Sequence, residues 1–135
     1  MTLRPLLLVT AIDEGATGAA LLLAPDVPVW ILFGQSLDSA LALLIGRVAG
    51  AALLALGIAC WRAADDAQSP AAVGLVVSLL IYDLIAAALL FYAWFGLEQS
   101  GVGLWVAIVA HLLLALWCIA GLREGRFGTV GENGT

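Results

Sequence analysis

Four long apolar stretches alternate with short polar segments along this chain. They cover about residues 5–23, 39–61, 71–95 and 103–122. Each stretch is close to the ~20 residues that a helix needs to cross the hydrocarbon core of a bilayer. None alternates with a period of two, and each is about twice the length of a barrel strand, which excludes a transmembrane barrel. The pattern predicts an all-α protein, an integral membrane four-helix transmembrane bundle that occupies residues 1–124.

Two segments outside these stretches have their own character. Residues 29–33 are apolar but too short to span a membrane, and prolines and a glycine flank them. We expect this segment to lie as a half-turn in the outer interface. Residues 125–135 are rich in glycine, and we expect them to form a flexible cytoplasmic tail.

The composition supports a membrane environment and excludes several classes of function. Of the 135 residues, 64% are hydrophobic and 11% are charged, and the mean hydropathy is +1.11. Soluble domains are about half apolar and about a quarter charged. Lysine is absent and the net charge is −5, which argues against a nucleic-acid partner. Two cysteines are too few for a disulfide framework or a zinc site.

The arginines predict the orientation of the helices. Arg4, Arg62, Arg123 and Arg126 fall in the two termini or in the loop between the second and third stretches, whereas the other two loops contain none. Because positive charge is enriched on the cytoplasmic side, we expect a multi-pass protein of the bacterial inner membrane with both termini cytoplasmic. Its partners would be the lipid bilayer and either further copies of itself or another membrane protein.

Small residues indicate where the helices approach one another. Gly46, Gly50 and Gly57 lie in the second stretch, and Gly15 and Gly18 lie in the first. Such residues allow close packing of transmembrane helices. Residues 12–14 (Ile-Asp-Glu) and 81–83 (Ile-Tyr-Asp) are weakly similar, which suggests a duplicated helical hairpin.

Each stretch also contains an ionisable residue at about the level of the bilayer midplane, although the one in the second stretch lies somewhat outside the centre of that stretch. These residues are Glu14, Arg47, Asp83 and His111. Each costs about 2.5–3.5 kcal/mol at the centre of a membrane helix, so we expect them to face one another inside the bundle. Asp13 and Tyr82, the neighbours of Glu14 and Asp83, complete the set of candidate ligand-binding or proton-binding residues. Asp13 and Glu14 point ~100° apart on a helix, and we expect Glu14 to face the core.

The cluster has two main interpretations. In the structural interpretation, Arg47 bridges Glu14 and Asp83, His111 completes the network, and the chain is a non-catalytic accessory subunit of a membrane complex. In the functional interpretation, three acids outnumber one arginine, so a carboxyl group binds a proton or a cation during proton-linked handling of a small solute or ion. A metal site on Glu14, Asp83 and His111 is a weaker alternative, because the chain has one histidine and no short-spaced ligand pair. No catalytic motif is present, so an enzyme is less favoured and the cofactor is unknown.

One family resemblance concerns the first half of the chain. Residues 22–25 read Leu-Leu-Ala-Pro, residues 32–34 read Leu-Phe-Gly, and residues 46–57 begin Gly-Arg-Val-Ala-Gly. These segments resemble the small four-helix bacterial membrane proteins grouped as DoxX-like. The resemblance implies the four-helix fold and no particular activity, since the functions of that group are mostly unassigned.

Overall fold

The computed structural model of the protein describes residues 3–128, with side chains from residue 3 to residue 124. The elements in chain order are α1 (Leu3–Leu23), α2 (Asp26–Phe33), α3 (Ala40–Ala63), a single 3-10 turn (Ala64–Asp66), α4 (Pro70–Gly96) and α5 (Leu104–Gly128). Every regular element in this part of the chain is helical, which confirms the predicted all-α class.

Four of these helices are long and apolar enough to cross a membrane. The qualifying spans contain 21, 27, 26 and 21 residues, within α1, α3 with its 3-10 turn, α4 and α5. Seven of the eight predicted helix ends lie within two residues of the observed ones. The exception is the end of α5, which continues to Gly128 and so includes the first four residues of the predicted tail. The rest of that tail, residues 129–135, lies outside the described residues.

Local capping explains where α3 and α4 begin. The Ser39 hydroxyl accepts a hydrogen bond from the Ala42 amide at 3.1 Å, and the Ser69 hydroxyl accepts one from the Ala72 amide at 3.2 Å. These bonds satisfy amides that have no partner inside the first turn of a helix. Pro70 follows Ser69 at the first helical position, where its missing N–H group costs nothing.

The segment predicted to be a half-turn is a complete two-turn helix, α2. It ends at Gly34, whose φ of 72° is left-handed and suits glycine. The Asp26 carboxylate accepts a hydrogen bond from the Leu37 amide at 3.0 Å, and the Gly103 amide donates to the Ile31 carbonyl at 2.9 Å. The second bond joins α2 to the beginning of α5. We call this end of the molecule the α2 end.

The four long helices pack as two antiparallel hairpins, α1 with α3 and α4 with α5. Glycines allow the close contact between α1 and α3. A Cβ atom added to Gly50 would lie 2.6 Å from the Leu22 amide nitrogen, and one added to Gly57 would lie 2.8 Å from the Gly15 amide nitrogen. Because both neighbours are backbone atoms, no larger residue fits without moving a helix. The predicted close approach at small residues is confirmed for Gly18, Gly50 and Gly57.

The two hairpins join through an apolar core that lies away from the α2 end. Its members come from all four long helices, and the fully buried ones include Leu6, Leu7, Cys60, Val76, Leu79 and Cys118. This core fills the half of the bundle that contains the beginning of α1. The polar residues described next lie at its edge, about halfway along the helices.

Candidate functional site

Two carboxyl groups are buried where the hairpins meet. Glu14 on α1 and Asp83 on α4 are each 2% exposed, and they are the only buried acidic residues in the described part of the chain. Both were expected to face the interior. Transfer of an ionised carboxylate out of water is costly unless a charge or hydrogen bonds compensate it, so the partners of these two groups decide their chemistry.

Asp83 has a direct partner on the neighbouring helix. Its Oδ1 atom lies 2.9 Å from Nδ1 of His111 on α5, and the His111 side chain is 16% exposed. The imidazole donates in this contact when Nδ1 carries a proton, and the charged and neutral rings both allow that. The pair therefore links α4 to α5 and provides one site at which a proton can be held.

Glu14 is less completely satisfied. The Tyr82 hydroxyl donates to Oε2 of Glu14 over a long 3.4 Å, whereas Oε1 is buried and has no hydrogen-bond partner among the described residues. The Tyr82 ring also meets the His111 ring edge-on, with centroids 5.6 Å apart. Glu14, Tyr82, His111 and Asp83 thus form one continuous series of contacts between the two hairpins. We call these four residues the acid–histidine cluster.

Arg47 does not belong to this cluster, contrary to the expectation that it bridges Glu14 and Asp83. It is exposed and forms no ion pair within the described part of the chain. Gly57 packs against Gly15, which places Gly57 level with Glu14. Arg47 lies about 15 Å along α3 from Gly57, towards the α2 end, at ~1.5 Å per residue. The predicted ion pairs are therefore wrong in this structure, and α3 contributes no acidic or basic side chain at the level of the cluster.

Asp13 also lies outside the cluster. Its side chain is exposed, whereas that of Glu14 is buried, so the prediction that Glu14 faces the core is confirmed. The next residue along α1 points in a direction ~100° away. Asp13 instead lines a groove on the outer surface of the bundle, between α1 and α5.

The described residues offer no metal site. No group of three His, Cys, Asp or Glu side chains in residues 3–124 is arranged to hold a metal ion. Cys60 and Cys118 are free thiols that are completely buried in the apolar core.

One buried polar residue was missed from the sequence. Thr10 is 2% exposed and precedes Glu14 by four residues, on the same face of α1. That spacing of four residues from Glu14 is the sequence feature that could have predicted its burial.

Comparison with protein-family models, with curated proteins and with solved structures finds no match to this chain. The resemblance to DoxX-like proteins therefore stays a prediction.

Proposed function

We propose that this chain is a small multi-pass membrane protein whose acid–histidine cluster binds and releases a proton, as part of proton-linked handling or transport of a small solute or ion. Four helices of spanning length support the membrane assignment. The exposed arginines Arg4, Arg62 and Arg123 lie near the end opposite α2. By the positive-inside rule, this favours a cytoplasmic location for both termini in a bacterial inner membrane.

The observation that carries the proposal is the unpartnered Oε1 atom of Glu14. A buried polar atom without a hydrogen bond costs about 1–3 kcal/mol, and more when the group is charged. Protonation of Glu14 removes the charge and turns one oxygen into a donor. A bound solute that donates a hydrogen bond or carries a positive charge would satisfy the same atom.

The charge balance of the cluster points in the same direction. Because Arg47 lies outside the cluster, the two buried carboxyl groups have one histidine, His111, as their only basic neighbour within the cluster. The cluster therefore contains no fixed positive charge. If both acids were ionised and His111 were neutral, the interior would hold two uncompensated negative charges. Buried ions of this kind are strongly disfavoured in an apolar medium. At least one proton is therefore expected to reside on the cluster, and interaction between the groups makes it a shared one.

The alternative function, an accessory subunit with a structural polar core, has one observation in its favour. The contact between His111 and Asp83 is short and joins two adjacent helices, as a permanent structural bond would. However, this alternative requires Arg47 beside Glu14 and Asp83 to keep both acids ionised, and Arg47 lies elsewhere. We therefore favour the proton-binding function.

The proposal is tested by counting protons. Purified protein in lipid nanodiscs, in weak buffer with a pH-indicator dye, would be shifted between about pH 8 and pH 5, the range in which histidine titrates. We expect Glu14→Gln to bind fewer protons per chain than the parent. Asp38→Asn, which alters an exposed carboxyl group outside the long helices, is the matched control, and the loss of proton uptake in Glu14→Gln should exceed that in Asp38→Asn. Equal proton uptake by parent and Glu14→Gln would argue for the accessory subunit.

A further inference from the structure

The outer surface of the bundle contains a groove between α1 and α5. Its volume is about 590 Å³. On α1 it is lined by Val9, Ile12 and Asp13, and on α5 by residues that include Ala110, Leu113 and Trp117. We call it the α1–α5 groove. Asp13, in its lining, points ~100° away from Glu14 around α1.

The lining has the spacing of a helix-packing surface. The residues of α1 lie three and four apart, and those of α5 lie three, four and seven apart, so each set forms a ridge along its helix. The stretch from Ala110 to Trp117 extends over about 10 Å, or two helical turns. A third helix that crosses the bundle surface here would lie between the two ridges, as a helix does in a groove-binding complex.

Asp13 gives the groove its specificity. The groove is otherwise apolar, yet Asp13 is exposed within it and forms no hydrogen bond or ion pair inside the described part of the chain. It lies halfway along α1, a helix of spanning length. An acidic side chain at that depth is costly in lipid and is normally paired with a partner.

From these observations we propose that the α1–α5 groove is a docking surface for a transmembrane helix of a different membrane protein, and that this helix carries a lysine or arginine at mid-span that pairs with Asp13. The apolar ridges would pack against the partner helix and the carboxylate would select it by charge. This inference does not depend on proton binding by the acid–histidine cluster.

A second copy of this chain is a poorer occupant. Arg4, Arg62 and Arg123 lie near the ends of long helices, and Arg47 lies about 15 Å from the level of Asp13. Among the side chains of residues 3–124, a copy inserted in the same orientation therefore presents no arginine at the required depth. Its Asp13 would face an identical carboxylate, and like charges repel.

The test uses a synthetic single-span helix of leucine and alanine with one lysine at its centre, and a control helix with leucine at that position. Acceptor-labelled peptide and donor-labelled protein in lipid vesicles would report association by energy transfer. We expect the lysine helix to bind the parent about three- to tenfold more tightly than the leucine helix, as polar contacts between membrane helices allow. Asp13→Asn should abolish this difference, whereas Asp38→Asn should retain it.

Two results with the parent protein would overturn the inference, and a groove-filling variant provides a third test. One is equal binding of the lysine and leucine helices to the parent protein. The other is self-association of the labelled protein, without peptide, that disappears in Asp13→Asn, because it would assign the groove to a second copy. A substitution that fills the groove, Ala110→Leu, should weaken binding of both peptides, and unchanged binding would place the contact elsewhere on the bundle.

Discussion

The ionisable residues within the long helices of this protein differ in burial and in hydrogen bonding. Asp83 has a histidine at 2.9 Å, whereas one oxygen of Glu14 is buried and has no hydrogen-bond partner among the described residues. Arg47 is exposed near the α2 end. These environments predict different effects of substitution on stability. Removal of one partner from a buried pair leaves the other without its hydrogen bond and lowers the free energy of unfolding, whereas substitution of an exposed, unpaired residue changes it little.

Substitution of His111 tests how much the contact between His111 and Asp83 contributes to stability. We expect His111→Leu to lower the free energy of unfolding by about 1–3 kcal/mol, the cost of leaving the buried Asp83 carboxyl group without its hydrogen bond. His111→Leu combined with Asp83→Leu should recover part of that loss. Thermal unfolding in mild detergent measures both. Arg47→Leu is the matched control and should melt close to the parent. A larger loss for Arg47→Leu than for His111→Leu would mean that Arg47 has a buried partner after all.

At the scale of helices, close backbone contact holds α1 against α3. Two glycines, Gly18 and Gly50, face each other so closely that a Cβ atom on either would meet the opposite backbone. Packing of small residues is a main source of stability for helices in lipid, where no hydrophobic force drives them together.

Alanine substitution of glycine tests this contact. Gly50→Ala should destabilise the protein by about 1–3 kcal/mol, since neither backbone can yield without separating the helices. Gly74→Ala is the control, because a Cβ atom on Gly74 would meet nothing within 4 Å. It should be neutral or stabilising by up to about 1 kcal/mol, given that alanine favours helix. Identical melting temperatures for the two variants would contradict the helix contact described here.

The helices could be predicted from the sequence, but their relative positions along the bundle could not. Arg47 is the eighth of the 24 residues of α3, so it is off-centre in that helix but would still lie near the level of the other ionisable residues if all four helices began at the same height. However, α3 begins beside α2, beyond the end of α1, as the contact of Gly46 with Pro25 and Leu37 indicates. Hydropathy predicts the length of each membrane-spanning helix, but it does not predict how far one helix is shifted along the bundle axis relative to the next. The burial of Glu14 rather than Asp13 was predictable, because helical geometry requires the two side chains to diverge.

At the scale of the whole molecule, the two ends of the bundle differ. The buried apolar core joins both hairpins in the half away from α2, whereas α2 itself has no buried residue and lies across the other end. Three exposed arginines, Arg4, Arg62 and Arg123, lie near the end opposite α2, whereas Arg47 alone among the described arginines lies towards α2. The acid–histidine cluster lies between the two ends. The proposed orientation puts α2 on the periplasmic side.

Cysteine labelling tests that orientation. Cysteines introduced in place of Ser36 or Ser100, both exposed and near the α2 end, should react in intact spheroplasts with a thiol reagent that cannot cross membranes. Gln68→Cys, in the loop between α3 and α4, should react only after the membrane is opened. Cys60 and Cys118 are buried and should contribute little background. Labelling of Gln68→Cys in intact spheroplasts would reverse the topology.

Infrared difference spectroscopy tests the central claim, that the acid–histidine cluster holds a titrating proton. Spectra of the protein in lipid, recorded between about pH 5 and pH 8, should contain the carbonyl band of a protonated carboxyl group in an apolar environment. The band should disappear in the variant that removes the protonated carboxyl group, whether that is Glu14→Gln or Asp83→Asn, and it should shift in His111→Ala because the groups of the cluster interact. Asp38→Asn should leave it unchanged. The absence of any such band from the folded parent protein throughout this range would contradict the proposal and favour a structural role for the cluster.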